Sequence, residues 1–222
     1  MCNLYSMTKA QDAIRQLFEG LNDSTGNLPS LPGIYPDQMA PVVRQKDGGP
    51  ELTMMRWGMP SPKSRLSASG RDPGLTNIRN TASGHWRRWL GPENRCVVPF
   101  TSFSEPGVLP DMKKGPIWFA LDESRPLAFF AGIWTRWTSI RKVKEGETTD
   151  NLYGFLTTDA NAVVKPIHPK AMPVILTNQD EVQTWLRAPK DEALRLQRPL
   201  RDDGLEIVAR GGRYDDGYTR PS

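Results

Sequence analysis

The chain has 222 residues, which suits one domain of generous size better than two small ones. No run of about 18 apolar residues is present, so the sequence excludes a membrane-spanning helix. The net charge of +4 is compatible with a polyanionic partner but does not require one. The 20 prolines and 19 glycines favour a turn-rich fold that contains strands over a helical bundle.

The first third of the chain predicts one helix and two strands. Residues 8–20 carry apolar side chains at helical spacing, which predicts a helix. Residues 21–38 are rich in proline, glycine and asparagine and predict a connection that leads into the first strand. The apolar patterns of 36–43 and 51–58 predict strands, and the composition of 59–74 predicts a surface loop.

The rest of the chain alternates between short helices and strands. Helices are predicted over 84–90, 160–168, 179–187 and 191–197. Runs of β-branched and aromatic residues predict strands at 95–103, 116–122, 125–134, 152–159, 172–177 and 205–210.

These elements show no regular βαβ repeat, and no low-complexity linker divides the chain. The predicted fold class is therefore α+β, a single domain built around a curved, barrel-like antiparallel β-sheet flanked by short helices. The domain is expected to cover residues 1–210, and the polar composition of 211–222 predicts a disordered C-terminal tail. The sequence does not require an oligomer, so we expect a monomer.

The location of the protein can be predicted from its N-terminus and its two cysteines. The N-terminus lacks the basic and then apolar pattern of a secretory signal. Cys2 and Cys96 lie far apart in sequence and do not make a disulfide framework, although a single bridge between them is an open alternative. We therefore expect a cytoplasmic protein, associated with the nucleoid if it is bacterial.

Cys2 stands directly after the initiator methionine. Its small side chain permits removal of Met1, which would leave Cys2 with a free α-amine beside its thiol. These two nucleophiles lie on adjacent carbons and can attack the same carbon atom in succession. In isolation the amine titrates at about pH 8 and the thiol at about pH 8.5, so modest help from neighbouring groups would activate both.

Three other residues could transfer protons or position the nucleophile. His168 lies in a rigid corner between two prolines and could act as a general acid or base, or could cap the backbone. Glu105 ends an apolar run, where burial would raise the pKa of its carboxyl, or where it could simply be exposed. Asn77 follows a flexible loop and could orient an amine or a thiol, or close a turn.

Arginines and tryptophans alternate between residues 77 and 95. Arg79, Arg87 and Arg88 could grip phosphates, while indole rings, with Trp57 among them, could stack on unpaired bases. The alternative is that the tryptophans are core anchors. No pair of cysteines or histidines has the spacing of metal ligands, and no phosphate-binding or dinucleotide-binding glycine motif is present, so we predict neither a metal nor a small-molecule cofactor.

Four motifs, MC, TNIRN, RCVVPFTSFSEP and IHPKAMPVIL, occur in this order and resemble the SOS-response-associated peptidase (SRAP) family from residue 1 to about 210. Members of that family crosslink covalently to abasic sites in single-stranded DNA. The resemblance implies a catalytic set of Cys2, Asn77, Glu105 and His168. It implies DNA contacts from Arg79, Trp57 and Lys170. Two departures are the Asn3-Leu4 pair where many members have Gly-Arg, and Pro106 where tryptophan is usual.

The resemblance implies that Cys2 forms a thiazolidine with the aldehyde of an abasic site and so protects the lesion during replication, with weak lyase activity at the same site. His168 would be the general acid, Glu105 would shuttle protons and Asn77 would position Cys2. The residues leave two alternatives open. One is an N-terminal-cysteine hydrolase or self-processing peptidase, and the other is a non-catalytic binder of single-stranded DNA.

Overall fold

The computed structural model describes residues 2–215. Within this range the chain forms fourteen strands, here called β1 to β14: Tyr5–Met7, Asn22–Asp23, Leu31–Ile34, Met39–Lys46, Gly49–Trp57, Asn77–Ile78, Arg95–Phe100, Ser102–Val108, Lys114–Ala120, Ala128–Ile140, Glu147–Thr158, Met172–Pro173, Ile175–Leu176 and Glu206–Arg210.

The helices are few and short. Four α-helices, α1 to α4, cover Gln11–Arg15, Gly84–Arg87, Gln179–Arg187 and Lys190–Ala193, and three 3-10 turns cover Lys63–Arg65, Pro92–Asn94 and Leu194–Leu196. The longest, α3, has the predicted bounds because its local signals agree. Asn178 caps it by accepting a hydrogen bond from the Glu181 amide (2.9 Å), and Trp185 on its apolar face is buried. No helix among the described residues is long and apolar enough to cross a membrane.

Five strands close into a barrel in the order β5, β4, β7, β10 and β11. Most neighbours are antiparallel, but β11 closes the barrel on β5 through a parallel pairing in which Tyr153 lies opposite Trp57. Aromatic rings fill the core. Phe130 stacks on Phe100 with 3.8 Å between ring centroids and lies 4.5 Å from Phe155. The prediction of an α+β fold around a barrel-like sheet is confirmed.

A second, antiparallel sheet has the strand order β14, β9, β8, β1 and β3. The pairing of β1 with β8 places the segment just before β1 beside the first half of β8. Tyr5 lies opposite Phe103, and the Ser104 amide donates to the Leu4 carbonyl (2.9 Å). The sequence did not predict β1, and this strand determines where Cys2 lies.

Several predicted elements differ from the structure. The helix predicted over 160–168 is wrong: this segment forms turns, because Pro166 has no amide hydrogen and its ring obstructs the preceding turn. The helix predicted over 8–20 is helical only over α1. The connection predicted over 21–38 contains β2 and β3, which depend on partners in distant strands.

Residues 211–215 pack against the domain, although they were predicted to belong to a disordered tail. The Gly211 amide donates to the Pro116 carbonyl (2.8 Å), and the Trp118 indole donates to the Gly212 carbonyl (2.8 Å). Asp215 is buried and pairs with Arg125 (2.9 Å), which is equally buried. The ordered part of the chain therefore extends to Asp215; the rest of the predicted tail, 216–222, lies outside the described residues.

Asp215→Ala is expected to destabilise the fold by about 3–5 kcal/mol, because it leaves the Arg125 guanidinium buried without its counter-charge. It also removes the acceptor of the Ser102 hydroxyl on β8 (2.5 Å). The measurement is the free energy of unfolding in urea. Asp203→Ala, which breaks an exposed pair with Arg201, is the control and should change little. Equal losses in the two variants would contradict this role of Asp215.

Candidate active site

Cys2 lies just before β1 and is buried, with 1% of its surface exposed. Its thiol is 3.5 Å from the Leu4 carbonyl, to which it donates. Cys96 is also buried, and both cysteines are free, so the alternative of a bridge between them is wrong.

The surroundings of the Cys2 thiol do not activate it. Burial raises the pKa of the thiol well above its ordinary value, and the negative charge of Glu105 raises it further. The surroundings therefore do not supply the help from neighbouring groups that would activate the thiol. The resting thiol is protonated, and chemistry that begins with a thiolate is disfavoured.

Asn77 holds the segment that contains Cys2. It lies on β6, which runs parallel to β11 with Asn77 opposite Phe155. Its amide nitrogen donates to the Cys2 carbonyl (2.9 Å) and to the Thr76 hydroxyl (2.7 Å). That hydroxyl in turn donates to the Asn3 side chain (3.0 Å). The contact fits the expected positioning function of Asn77, which stays a prediction.

Glu105 lies on β8 with none of its surface exposed, so the alternative of an exposed glutamate is wrong. Burial raises the pKa of its carboxyl to about 7, which means that the group exchanges a proton at neutral pH. Its charge acts on the Cys2 thiol, so the two groups are close in space.

His168 is half-buried, and its ring is fixed by one backbone contact. Nδ1 lies 2.9 Å from the Ala171 carbonyl and must donate to it, because a carbonyl oxygen only accepts. The adjacent Ile167 packs close to Gly107, two residues beyond Glu105: a Cβ on this glycine would lie 3.0 Å from the Ile167 methyl group. The turns that carry His168 thus meet β8 near Glu105.

The structure therefore brings the four predicted catalytic residues together to different degrees. Asn77 donates a hydrogen bond to the Cys2 carbonyl, and the charge of Glu105 raises the pKa of the Cys2 thiol. Ile167, which precedes His168, packs near Gly107 on the strand that carries Glu105. Thr76 was missed as a site residue, although its position directly before Asn77 in TNIRN was an available signal.

The cationic residues predicted to contact DNA are exposed. Arg79 pairs with Asp159, which is itself exposed, so a phosphate could replace this partner. The Arg88 guanidinium lies over the Trp89 ring at 3.9 Å. Arg87 and Lys170 have no ion pair with any of residues 2–215.

Trp57 is not a surface for base stacking. It is 1% exposed and stacks with Tyr153 and Phe155, with centroid distances of 6.4 and 5.3 Å. Its predicted contact with DNA is wrong because neither face of the ring is available. The indole instead donates to the Thr76 carbonyl (3.2 Å), so it helps to hold the segment that carries Asn77.

The remaining tryptophans of this region divide into core anchors and one exposed ring. Trp86 and Trp89 are buried, as the alternative interpretation of these residues expected. Trp137 on β10 is 37% exposed and lies 6.1 Å from Trp89, and the sequence did not single it out.

The second sheet beside the barrel holds an N-proximal cysteine and a buried carboxyl, and the Asn77 amide binds the cysteine carbonyl, so this is a candidate site of covalent catalysis. The chain matches the family described as SOS response associated peptidase (SRAP) over residues 1–209 and belongs to that family. Membership associates it with the response to DNA damage. No curated protein matches the chain.

Solved structures share the fold. A protein from Bordetella bronchiseptica superposes with a TM-score of 0.71 at 25% identity and covers 92% of this chain and 97% of its own. A protein from Bacteroides thetaiotaomicron superposes with a TM-score of 0.70 at 22% identity, over 92% of this chain and 90% of its own. A phage-related protein from Bordetella bronchiseptica has a TM-score of 0.68 at 18% identity, over 92% of both chains.

Proposed function

We propose that the protein crosslinks itself to abasic sites in single-stranded DNA through Cys2, once Met1 has been removed, and so protects the lesion during replication or repair. The observation that supports this most is the hydrogen bond from Asn77 to the Cys2 carbonyl (2.9 Å). It fixes the residue that would carry both nucleophiles beside a carboxyl whose pKa is about 7.

The amine reacts first in this scheme. The abasic deoxyribose opens to an aldehyde, and the Cys2 nitrogen attacks C1′ after Glu105 has accepted the ammonium proton. The C1′–N bond forms as the carbonyl π bond breaks. His168 protonates the resulting oxygen to a hydroxyl and takes one proton back from the nitrogen. The protonated Glu105 then gives its proton to this hydroxyl, which leaves as water while the nitrogen lone pair forms the C=N bond, and loss of the last N–H proton gives the imine. The buried carboxyl suits this transfer because both of its protonation states are populated at neutral pH.

The thiol reacts second. Its sulfur adds to C1′ of the imine, the C=N π bond breaks, and the thiol proton ends on the nitrogen. An aldehyde, an amine and a thiol thus become a five-membered thiazolidine and one water. A protonated, buried thiol fits this order of events, because the thiol itself supplies the proton that the ring nitrogen gains.

The DNA strand is held mainly through its phosphates. Arg79, Arg87, Arg88 and Lys170 supply exposed positive charge and would contact the backbone without reading sequence. Binding should therefore weaken as the salt concentration rises. A weak lyase activity would follow from β-elimination at the imine. The function requires no cofactor and can be carried out by a monomer in the cytoplasm, at the nucleoid if the protein is bacterial.

The test is to mix the protein that lacks Met1 with a single strand that bears one abasic site. A heat-stable adduct with this strand, and none with an intact strand, is the expected result. Turnover of a peptide or an amide without a DNA adduct would overturn the proposal in favour of a hydrolase. The raised pKa of the Cys2 thiol argues against that alternative, because a hydrolase of this kind begins with a thiolate.

Glu105→Gln is expected to change the pH profile of crosslinking. The carboxylate is the reactive form, so the wild-type rate should rise with pH to a midpoint near the Glu105 pKa of about 7. Without this base the rate should follow the free α-amine, which titrates at about pH 8 and is roughly one-tenth deprotonated at pH 7. The expected loss is about fivefold at pH 7, where the wild type is at half its maximum, and small at pH 9, in single-turnover kinetics. An unchanged midpoint would contradict this function of Glu105.

Thr76→Val is expected to slow crosslinking about three- to tenfold at saturating DNA without changing DNA affinity. The substitution removes the hydroxyl that accepts from Asn77 and donates to Asn3, and each bond of this kind contributes about 0.5–1.5 kcal/mol. Thr149→Val, which removes an exposed hydroxyl bond to Thr138, is the control. A loss of affinity with an unchanged rate would show that Thr76 does not position Cys2.

A further inference from the structure

A groove of about 510 Å³ lies beside the candidate active site. Pro106, Ile117 and Ile167 form its apolar walls, and Lys114 and Arg210 lie at its rim. Residues of β8 and β9 line the groove, together with residues of β14 and of the turns before His168.

The groove exposes apolar surface to solvent. Val108 on β8 is 56% exposed and Ile207 on β14 is 36% exposed, and both line it. Exposed apolar side chains that adjoin one another form the kind of surface that a ligand covers, since covering them removes apolar area from water.

The positive charges of Lys114 and Arg210 favour an anionic ligand. Lys114 and Arg210 form no ion pair with any of residues 2–215, and no acidic residue lines the groove. A ligand that complements this surface has a flat apolar part for the walls and a negative charge for the rim. A nucleotide of a single strand has both, because its base is flat and its phosphate is anionic.

The groove is continuous with the candidate active site. A pocket lined by Asn3, Leu4 and Ser104 shares Pro106 and Lys114 with the groove, so the groove adjoins the segment that carries Cys2. A strand whose abasic sugar lies at Cys2 would carry its next nucleotide along the groove.

We propose that this groove binds the unpaired base next to the abasic nucleotide, with Lys114 and Arg210 at the adjacent phosphate. The inference rests on the proposed function and assigns the lesion a second point of recognition, namely the base that adjoins the missing one. The protein would then distinguish an abasic site in an otherwise normal strand from a longer stretch that lacks bases.

The test measures equilibrium binding in a Cys2→Ala background, so that no covalent step contributes. Single strands carry a stable abasic analogue and have bases on both sides of it, or lack the base on one side. Loss of one neighbouring base should weaken binding about tenfold, which corresponds to about 55 Å² of apolar area that the base would cover in the groove. Val108→Glu should bind the complete strand about tenfold more weakly and should no longer respond to loss of that base.

The contribution of Lys114 is measured through the salt dependence of binding. Lys114→Gln should weaken binding to both strands equally and should lower the slope of log affinity against log salt by about one. Val143→Glu and Lys144→Gln, at exposed positions of the hairpin between β10 and β11, are the matched controls and should leave both quantities unchanged. Val108 is itself exposed, so its substitution should leave the thermal unfolding midpoint unaltered.

Two results distinguish failure of the groove proposal from failure of the crosslinking proposal. If Val108→Glu responds to loss of either neighbouring base as strongly as Val143→Glu does, the groove does not bind the base, and the crosslinking proposal stands. If the protein with Cys2 intact and Met1 removed forms no adduct while binding stays base-dependent and sensitive to Val108→Glu, the crosslinking proposal fails and the groove remains supported.

Discussion

Cys2→Ala is expected to abolish the heat-stable adduct between the protein and a single strand that bears an abasic site. Alanine keeps the α-amine but removes the sulfur that closes the ring, so the reaction should stop at the imine. The imine hydrolyses on heating, whereas borohydride reduces it to a stable amine. The variant should therefore give a covalent product only when borohydride is present, as seen on denaturing gels.

Cys96→Ala is the matched control, because Cys96 is the other free and buried cysteine of the chain. It should crosslink as the wild-type protein does. Normal heat-stable crosslinking by Cys2→Ala without borohydride would contradict the scheme, since another residue would then be the nucleophile.

His168→Gln is expected to slow crosslinking by at least about a hundredfold, the lower end of the usual contribution of a general acid. The Ala171 carbonyl, which now accepts from His168, can accept from the glutamine amide, so the local fold should survive. Single-turnover rates at saturating DNA measure the effect, and DNA affinity should stay nearly unchanged because glutamine keeps the polar contact with the Ala171 carbonyl.

His85→Gln is the control for this substitution. His85 contacts the Pro60 carbonyl through Nε2 (2.9 Å) at the start of α2, and this contact serves the local fold. If the two histidine variants crosslink at the same rate, His168 is not the acid. A drop in affinity with an unchanged rate would place His168 in DNA binding instead.

The sequence predicted the parts of the fold whose signals are local. The strands of the barrel are long apolar runs, and α3 has its cap and its apolar face within nine residues. It did not predict β1 and β6, which have three and two residues and exist because distant strands pair with them. These two short strands carry the segments of Cys2 and Asn77, so the assembly of the site depends on tertiary pairing.

The same limit applies to the site. The order of the motifs indicated Asn77, Glu105 and His168, but the protonation state of the Cys2 thiol depends on how deeply the folded chain buries it. The position of Trp57 inside the barrel also depends on closure of β11 on β5.

The prediction of a disordered tail was wrong for residues 211–215, for a related reason. Residues 211–215 are polar, and their composition alone resembles that of a disordered tail. The partner that orders this segment is Arg125, which is 90 positions away from Asp215 along the chain. A buried ion pair between such distant residues has no signature in local composition.

The central claim is that one carbon of the sugar bonds to both nucleophiles of a single residue, and mass spectrometry of the digested adduct tests it directly. The N-terminal peptide should begin at Cys2, carry the sugar remnant with loss of one water, and resist alkylation of its thiol. A sugar attached to any other residue, or a Cys2 thiol that still reacts with iodoacetamide in the adduct, would contradict the account.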